Sequence, residues 1–109
     1  MICYWDEWNR EHATQHGVTE SEIEHVLNDA SPPYPEYLGA GKYRVCGQTH
    51  GGTYVQVIFV HKSAEEVDFE TMPIEELVRF DSAKGPYVYP IHARELTERE
   101  KRRERRRRK

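Results

Sequence analysis

Residues 53–61 read TYVQVIFVH, and positions 57–60 are apolar without a break. A run of this length, rich in β-branched and aromatic residues, is a strand, and its unbroken apolar stretch predicts cover on both faces. The rest of a 109-residue chain must then be layered around one interior strand, as a single compact domain. The neighbouring segments fit a small sheet. Residues 43–48 read as a strand, and Thr49-His50-Gly51-Gly52 as the hairpin turn leading into 53–61. Residues 87–94 resume β character, with Tyr87, Tyr89, Ile91 and Ala93 alternating against Val88, Pro90, His92 and Arg94. Pro90 predicts an edge strand or a bulge there.

Helices flank these strands. Residues 2–5 form a short apolar run of strand character, after which Asp6 can cap a helix over residues 7–16, with Gly17 at its end. Trp5, Trp8, His12 and His16 then share one helical face. Thr19 and Glu22 form a capping box, and Val18 with Ile23 a hydrophobic staple, so a second helix runs over 20–28 with Ile23, Val26 and Leu27 buried. Ser31-Pro32-Pro33-Tyr34-Pro35 is a stiff connector and Gly39-Ala40-Gly41 a flexible one. Residues 73–80 suit a short helix. Thr97 and Glu100 make another capping box, opening a helix that is polar all round. The fold class is therefore α+β: two N-terminal helices on a small, mainly antiparallel sheet, followed by a basic C-terminal helix.

The net charge of −3 conceals two opposite halves. Residues 94–109 carry ten Lys/Arg against four Glu, a net +6, whereas 1–93 carry six basic against fifteen acidic residues, a net −9. Within the acidic half, residues 63–86 alone hold seven acids and two bases. Such a segment is either a solvated loop or a phosphate mimic folded over a cationic site. An acidic body with a basic tail suits a polyanion or an acidic protein partner. No apolar run reaches membrane-spanning length, and the N-terminal residues lack the pattern of a secretion signal. Cys3 and Cys46 stand without metal or redox spacing, so two free thiols in a reducing cytoplasm are expected.

Candidate chemistry narrows by elimination. His12 and His16 are spaced for a metal, but no third ligand accompanies them, and packing beside the tryptophans is the simpler expectation. No nucleophile elbow and no phosphate-binding loop occur. A cationic constellation remains. Lys42, Arg44, His92 and Arg94 lie on or beside predicted strands, and alternation puts His92 and Arg94 on one face. A guanidinium can grip two phosphate oxygens, and an imidazole can pass protons near neutrality. Together they could serve RNA cleavage by the substrate's own 2′-OH, without a cofactor. Alternatively, they decorate a sheet edge.

Specific residues then resemble a known family. Trp5-Asp6-Glu7-Trp8-Asn9-Arg10-Glu11-His12, Gln15-His16-Gly17-Val18-Thr19, Glu22 and Val26 resemble the opening of BrnT-family toxins. So do Gly41-Lys42-Tyr43, Gly47-Gln48-Thr49, Pro90-Ile91-His92-Ala93-Arg94 and Thr97-Glu98-Arg99-Glu100-Lys101-Arg102-Arg103. The resemblance covers residues 4–62 and 87–105. It implies a RelE-like fold and a ribonuclease toxin of a type II toxin–antitoxin pair that cleaves RNA and inhibits translation. It also implies a BrnA-like ribbon-helix-helix antitoxin, through whose complex alone promoter DNA is bound. Arg94 matches the family's Ala-Arg motif and His16 its His-Gly; Lys42 stands where members often carry Arg. The family joins its last two strands by a short turn, and residues 63–86 stand in its place here.

The resulting expectation is a toxin-like domain over 1–96 with an acidic insertion at 63–86, and a basic helix and tail over 97–109. Its function is metal-independent RNA cleavage in the cytoplasm. Arg94 and Lys42 would hold the phosphate and His92 transfer protons. Arg44, Arg99, Lys101, Arg102 and Arg103 would bind RNA. The alternative is a non-catalytic module of the same fold that binds nucleic acid or an antitoxin.

Overall fold

A computed structural model of the chain describes residues 2–81 and 86–107, Asp81 by its backbone alone. The end of the acidic segment, 82–85, and the tip of the basic tail, 108–109, are parts of the sequence reading that lie outside the described residues.

The first helix, α1 (Glu7–Thr14), starts where Asp6 predicts. The Asn9 N–H donates to the Asp6 carboxylate at 3.0 Å, and the Asp6 N–H donates back to Asn9 Oδ1 at 2.7 Å. The helix stops two residues sooner than expected. Gly17, at φ +89°, turns the chain away, and its N–H donates to the Thr14 carbonyl at 3.0 Å in a tightened last turn. The second helix, α2 (Glu20–Asn28), has the expected bounds, the reciprocal Thr19–Glu22 cap and a fully buried Ile23, Val26 and Leu27.

Among the described residues, one antiparallel sheet runs in the order β1 (Glu36–Gly39), β2 (Lys42–Gln48), β3 (Tyr54–Lys62) and β4 (Tyr87–Glu95). Strand β1 was not expected. The Gly39-Ala40-Gly41 segment, read as a flexible connector, is a tight hairpin turn with positive φ at all three residues. Strand β3 is interior, as its apolar run requires. Strand β4 is an edge strand that also carries a bulge. Ile58 pairs with His92 and Phe59 with Pro90, leaving Ile91 extra. Pro90 has no N–H to give the ladder, which accounts for the break. The bulge overturns the simple alternation expected for this strand. Tyr87 and Tyr89 share a face with His92 and Arg94, whereas Val88 and Pro90 share the opposite face with Ala93. Residues 2–5 form no full strand; Cys3 makes a single parallel bridge to Val88 along that edge.

Register defines two faces. Val45, Val55, Val57, Phe59 and Ala93 are fully buried and join Val18, Ile23, Val26 and Leu27 in the main core. The opposite face carries Lys42, Arg44 and Cys46 on β2, Gln56, Ile58 and Val60 on β3, and Tyr89, His92 and Arg94 on β4.

The acidic segment partly covers the Tyr89 end of this second face. It contains a short 3₁₀ turn (Ala64–Glu66) and α3 (Ile74–Asp81), and buries Val67, Met72 and Phe80 against Tyr4, Tyr87 and Tyr89. Its described part is thus folded onto the sheet rather than a solvated loop, and does not act as a phosphate mimic on the cationic residues. Its described carboxylates meet Arg10 (Glu76, 2.7 Å) and Lys62 (Glu66, 3.7 Å), and none pairs with Lys42, Arg44 or Arg94.

The final helix, α4 (Glu98–Arg107), covers the other end of the face. It has no apolar stripe and is fastened by polar contacts. Leu96, just before it, is buried and donates its N–H to the Tyr54 carbonyl at 2.9 Å. Glu104 is buried and accepts a hydrogen bond from the Tyr34 hydroxyl. No helix among the described residues is long and apolar enough to cross a membrane.

Candidate functional site

The three strand cations and the imidazole singled out from sequence do share one face. Arg44, Ile58 and His92 form one row across β2, β3 and β4, and Cys46, Gln56 and Arg94 form the next. Adjacent strands lie about 4.8 Å apart, so Arg44 and His92 stand roughly 10 Å from one another at the backbone. Lys42 begins the same face of β2 and is exposed.

Arg94 is partly exposed and not free. Its two terminal nitrogens donate to the two Glu100 carboxylate oxygens at 2.8 and 2.9 Å, a bidentate pair. Glu100 also accepts from the Thr97 N–H at 2.8 Å, so one carboxylate both caps α4 and ties it to β4. Its hydrogen bonds with Arg94 first, and with Thr97 second, bring its pKa down to about 2. Arg44 is likewise paired, with Glu36 at 2.8 Å. Its Nε is buried with no hydrogen-bond partner among the described residues, beside a small recess lined by Tyr34, Cys46 and Glu104.

His92 is half-buried. Burial, followed by the nearby His16 and Arg94, pushes its pKa below the ordinary 6.5. The imidazole is therefore neutral at pH 7 and able to accept a proton. The His16 ring lies edge-on to it, 5.1 Å between centroids. This pairing joins residues 76 positions apart, and the His-Gly motif alone gave no hint of it.

The four aromatic positions expected on one face of α1 separate. Trp5 is buried and donates Nε1–H to Glu24 at 2.9 Å. Trp8 stacks on His12, while His16 turns to His92. His12 and His16 thus do not converge on a metal, and no group of three or more metal-ligating side chains occurs among the described residues. Both cysteines are free and buried. Burial raises the Cys46 thiol pKa, so Cys46, though on the site's face, is no ready nucleophile.

On α4, Arg99, Arg102 and Arg103 are exposed. Lys101 is held between Glu98 (3.2 Å) and Glu95 (3.4 Å), only 18% of its side chain remaining accessible. Its charge is locally compensated, whereas Arg99, Arg102 and Arg103 have no ion pair among the described residues.

Fold and site together define a small α+β protein with a cationic, histidine-bearing sheet face clasped at one end by a basic helix. No family model, curated protein or solved structure matches the chain.

Proposed function

We propose that the protein is a metal-independent endoribonuclease of the BrnT type, with a RelE-like fold. It acts in the cytoplasm as the toxin of a type II toxin–antitoxin pair, cleaving RNA and so inhibiting translation. A ribbon-helix-helix antitoxin is its protein partner, and promoter DNA is reached through that complex. The observation that carries this reading is the placement of Lys42, Arg44, His92 and Arg94 on one sheet face, with His16 against His92. A neutral His92 suits removal of the proton from a ribose 2′-OH. The 2′-oxygen then bonds to phosphorus while the bond to the 5′-oxygen breaks, and the leaving oxygen takes up a proton. Arg94 and Lys42 stabilise the charge gathering on the phosphate. Arg44, Arg99, Arg102 and Arg103 hold flanking phosphates, with Lys101 contributing less.

The test is incubation of the purified protein with single-stranded RNA in the presence of a chelator. The expected products end in a 2′,3′-cyclic phosphate and vanish with Arg94→Ala. Absence of cleavage, with wild type and variant identical, overturns the reading. The Arg94–Glu100 pair favours one rival, a non-catalytic nucleic-acid or antitoxin-binding module, because the guanidinium's two terminal nitrogens are already engaged. Binding with steep salt dependence and no cleavage selects that rival.

A further inference from the structure

Trp8 is half exposed although tryptophan is among the costliest side chains to leave in water. Its ring is held in place. His12, one turn on, stacks against it at 4.0 Å and 14° and donates Nδ1–H to the Trp8 carbonyl at 2.7 Å. Tyr89 lies nearly parallel to Trp8, at 16° and 6.3 Å, and is fixed in turn by donating its hydroxyl to Asp6 at 2.8 Å. His12 thus packs against one face of Trp8, whereas Tyr89, near-parallel but 6.3 Å away between centroids, is too distant for direct face-to-face stacking, and half of the Trp8 side chain stays exposed.

This aromatic group adjoins the cationic face. Tyr89 lies on the same face of β4 as His92 and Arg94. Farther along the chain from Trp8, His16 touches His92. The rise of α1 as far as Thr14, with the turn that follows it, puts Trp8 and His16 on the order of 10 Å apart, within reach of a short oligonucleotide.

We propose that Trp8, backed by His12, is a stacking platform for an unpaired base of a single-stranded RNA whose phosphate lies on the Arg94 face. The inference rests on the ribonuclease reading and narrows its substrate to strands whose bases can be splayed out. Every base has a π-face, so the platform confers affinity with little sequence preference, and duplex RNA cannot use it. Phosphate contacts alone would not separate these substrates.

The test uses a fully 2′-O-methylated single-stranded oligonucleotide, which binds but cannot be cleaved, followed by tryptophan fluorescence. Trp5 is buried, so a change on binding reports Trp8. Quenching is expected. Binding should weaken about tenfold to hundredfold in Trp8→Ala and mostly survive in Trp8→Phe. An abasic oligonucleotide of equal length should bind wild type as weakly as the normal strand binds Trp8→Ala; this arm needs no variant. Equal binding of normal and abasic strands, or no fluorescence change on binding, overturns the platform. So does a fluorescence change produced only by a protein partner, which makes Trp8 a protein contact. The two proposals fail separately. Cleavage that depends on Arg94 but has a KM unaffected by Trp8→Ala removes the platform and keeps the enzyme. Base-dependent quenching without cleavage of ordinary RNA does the reverse.

Discussion

At the scale of single residues, the Arg94–Glu100 pair sets how much cation the site presents. Glu100 titrates near 2 in the folded chain against an ordinary 4.5. Between these values the unfolded chain binds more protons, so the pair's stabilisation is complete above about pH 4.5 and is lost as pH falls towards 2. Both side chains are partly exposed, which limits that stabilisation to about 1 kcal/mol or less. Glu100→Gln keeps a side chain able to cap Thr97 while releasing the guanidinium. It should cost under about 1 kcal/mol in urea unfolding at pH 7 and reduce, by the share of this pair, the loss between pH 4.5 and 2. It should also tighten RNA binding and steepen its salt dependence by about 0.7 log units per log of salt. Weaker binding would show instead that Glu100 presents Arg94 to the ligand. His92 has the same sign for a different cause. Burial lowers its pKa, so below 6.5 the unfolded state again takes up more protons and stability falls with pH. His92→Gln should lessen the fall of the urea midpoint as pH drops below 6.5. In the wild type, cleavage should fall as acidification protonates the base.

At the scale of elements, α4 shows how a helix without an apolar stripe is held. Its buried contact is a carboxylate, Glu104, met by the Tyr34 hydroxyl. That hydroxyl also accepts from Arg107 at 3.2 Å. Tyr34→Phe leaves Glu104 buried without this donor and should cost about 1–3 kcal/mol in urea unfolding, with α4 amides losing protection in hydrogen exchange. Unchanged protection would mean that Leu96 and the Arg94–Glu100 pair suffice. Sequence legibility follows the same division between near and far. The α2 caps and staple, the β3 run and the Pro90 irregularity are written within a few residues, and each was readable. Strand β1 is short and leans on β2 for its identity. Asn9 looks like a surface residue on α1, yet it is fully buried, with Nδ2 donating to the Tyr4 and Pro90 carbonyls at 3.0 Å each. The acidic segment hides its core among carboxylates, because Val67, Phe69, Met72, Leu77 and Phe80 follow no single period. In the site, the common face of His92 and Arg94 was legible from parity. That Lys42 and Arg44 join them depends on strand register. Glu100 was readable as a cap, but not as the partner of Arg94.

At the scale of the whole molecule, the acidic body and basic tail make net charge a poor guide to where a polyanion binds. Exposed charges farther apart than the Debye length, about 10 Å at 0.1 M salt, scarcely feel one another. A polyanion would therefore respond to the local balance on α4 and the cationic sheet face beside it, with the acidic remainder favouring approach from that side. Local balance also separates neighbouring residues of one helix. Arg102 and Arg103 are exposed and have no ion pair among the described residues, whereas Lys101 sits between Glu95 and Glu98. A cation already compensated by carboxylates adds little to the release of counterions, the process that makes nucleic-acid binding salt-dependent. Arg102→Ala and Arg103→Ala should each reduce the slope of log affinity against log salt by about 0.7 for single-stranded RNA, and Lys101→Ala should leave it nearly unchanged. Binding isotherms at three or more salt concentrations read all three slopes. Equal reductions at 101, 102 and 103 would mean that RNA sees only the summed charge of the tail, and that the ion pairs around Lys101 open on binding.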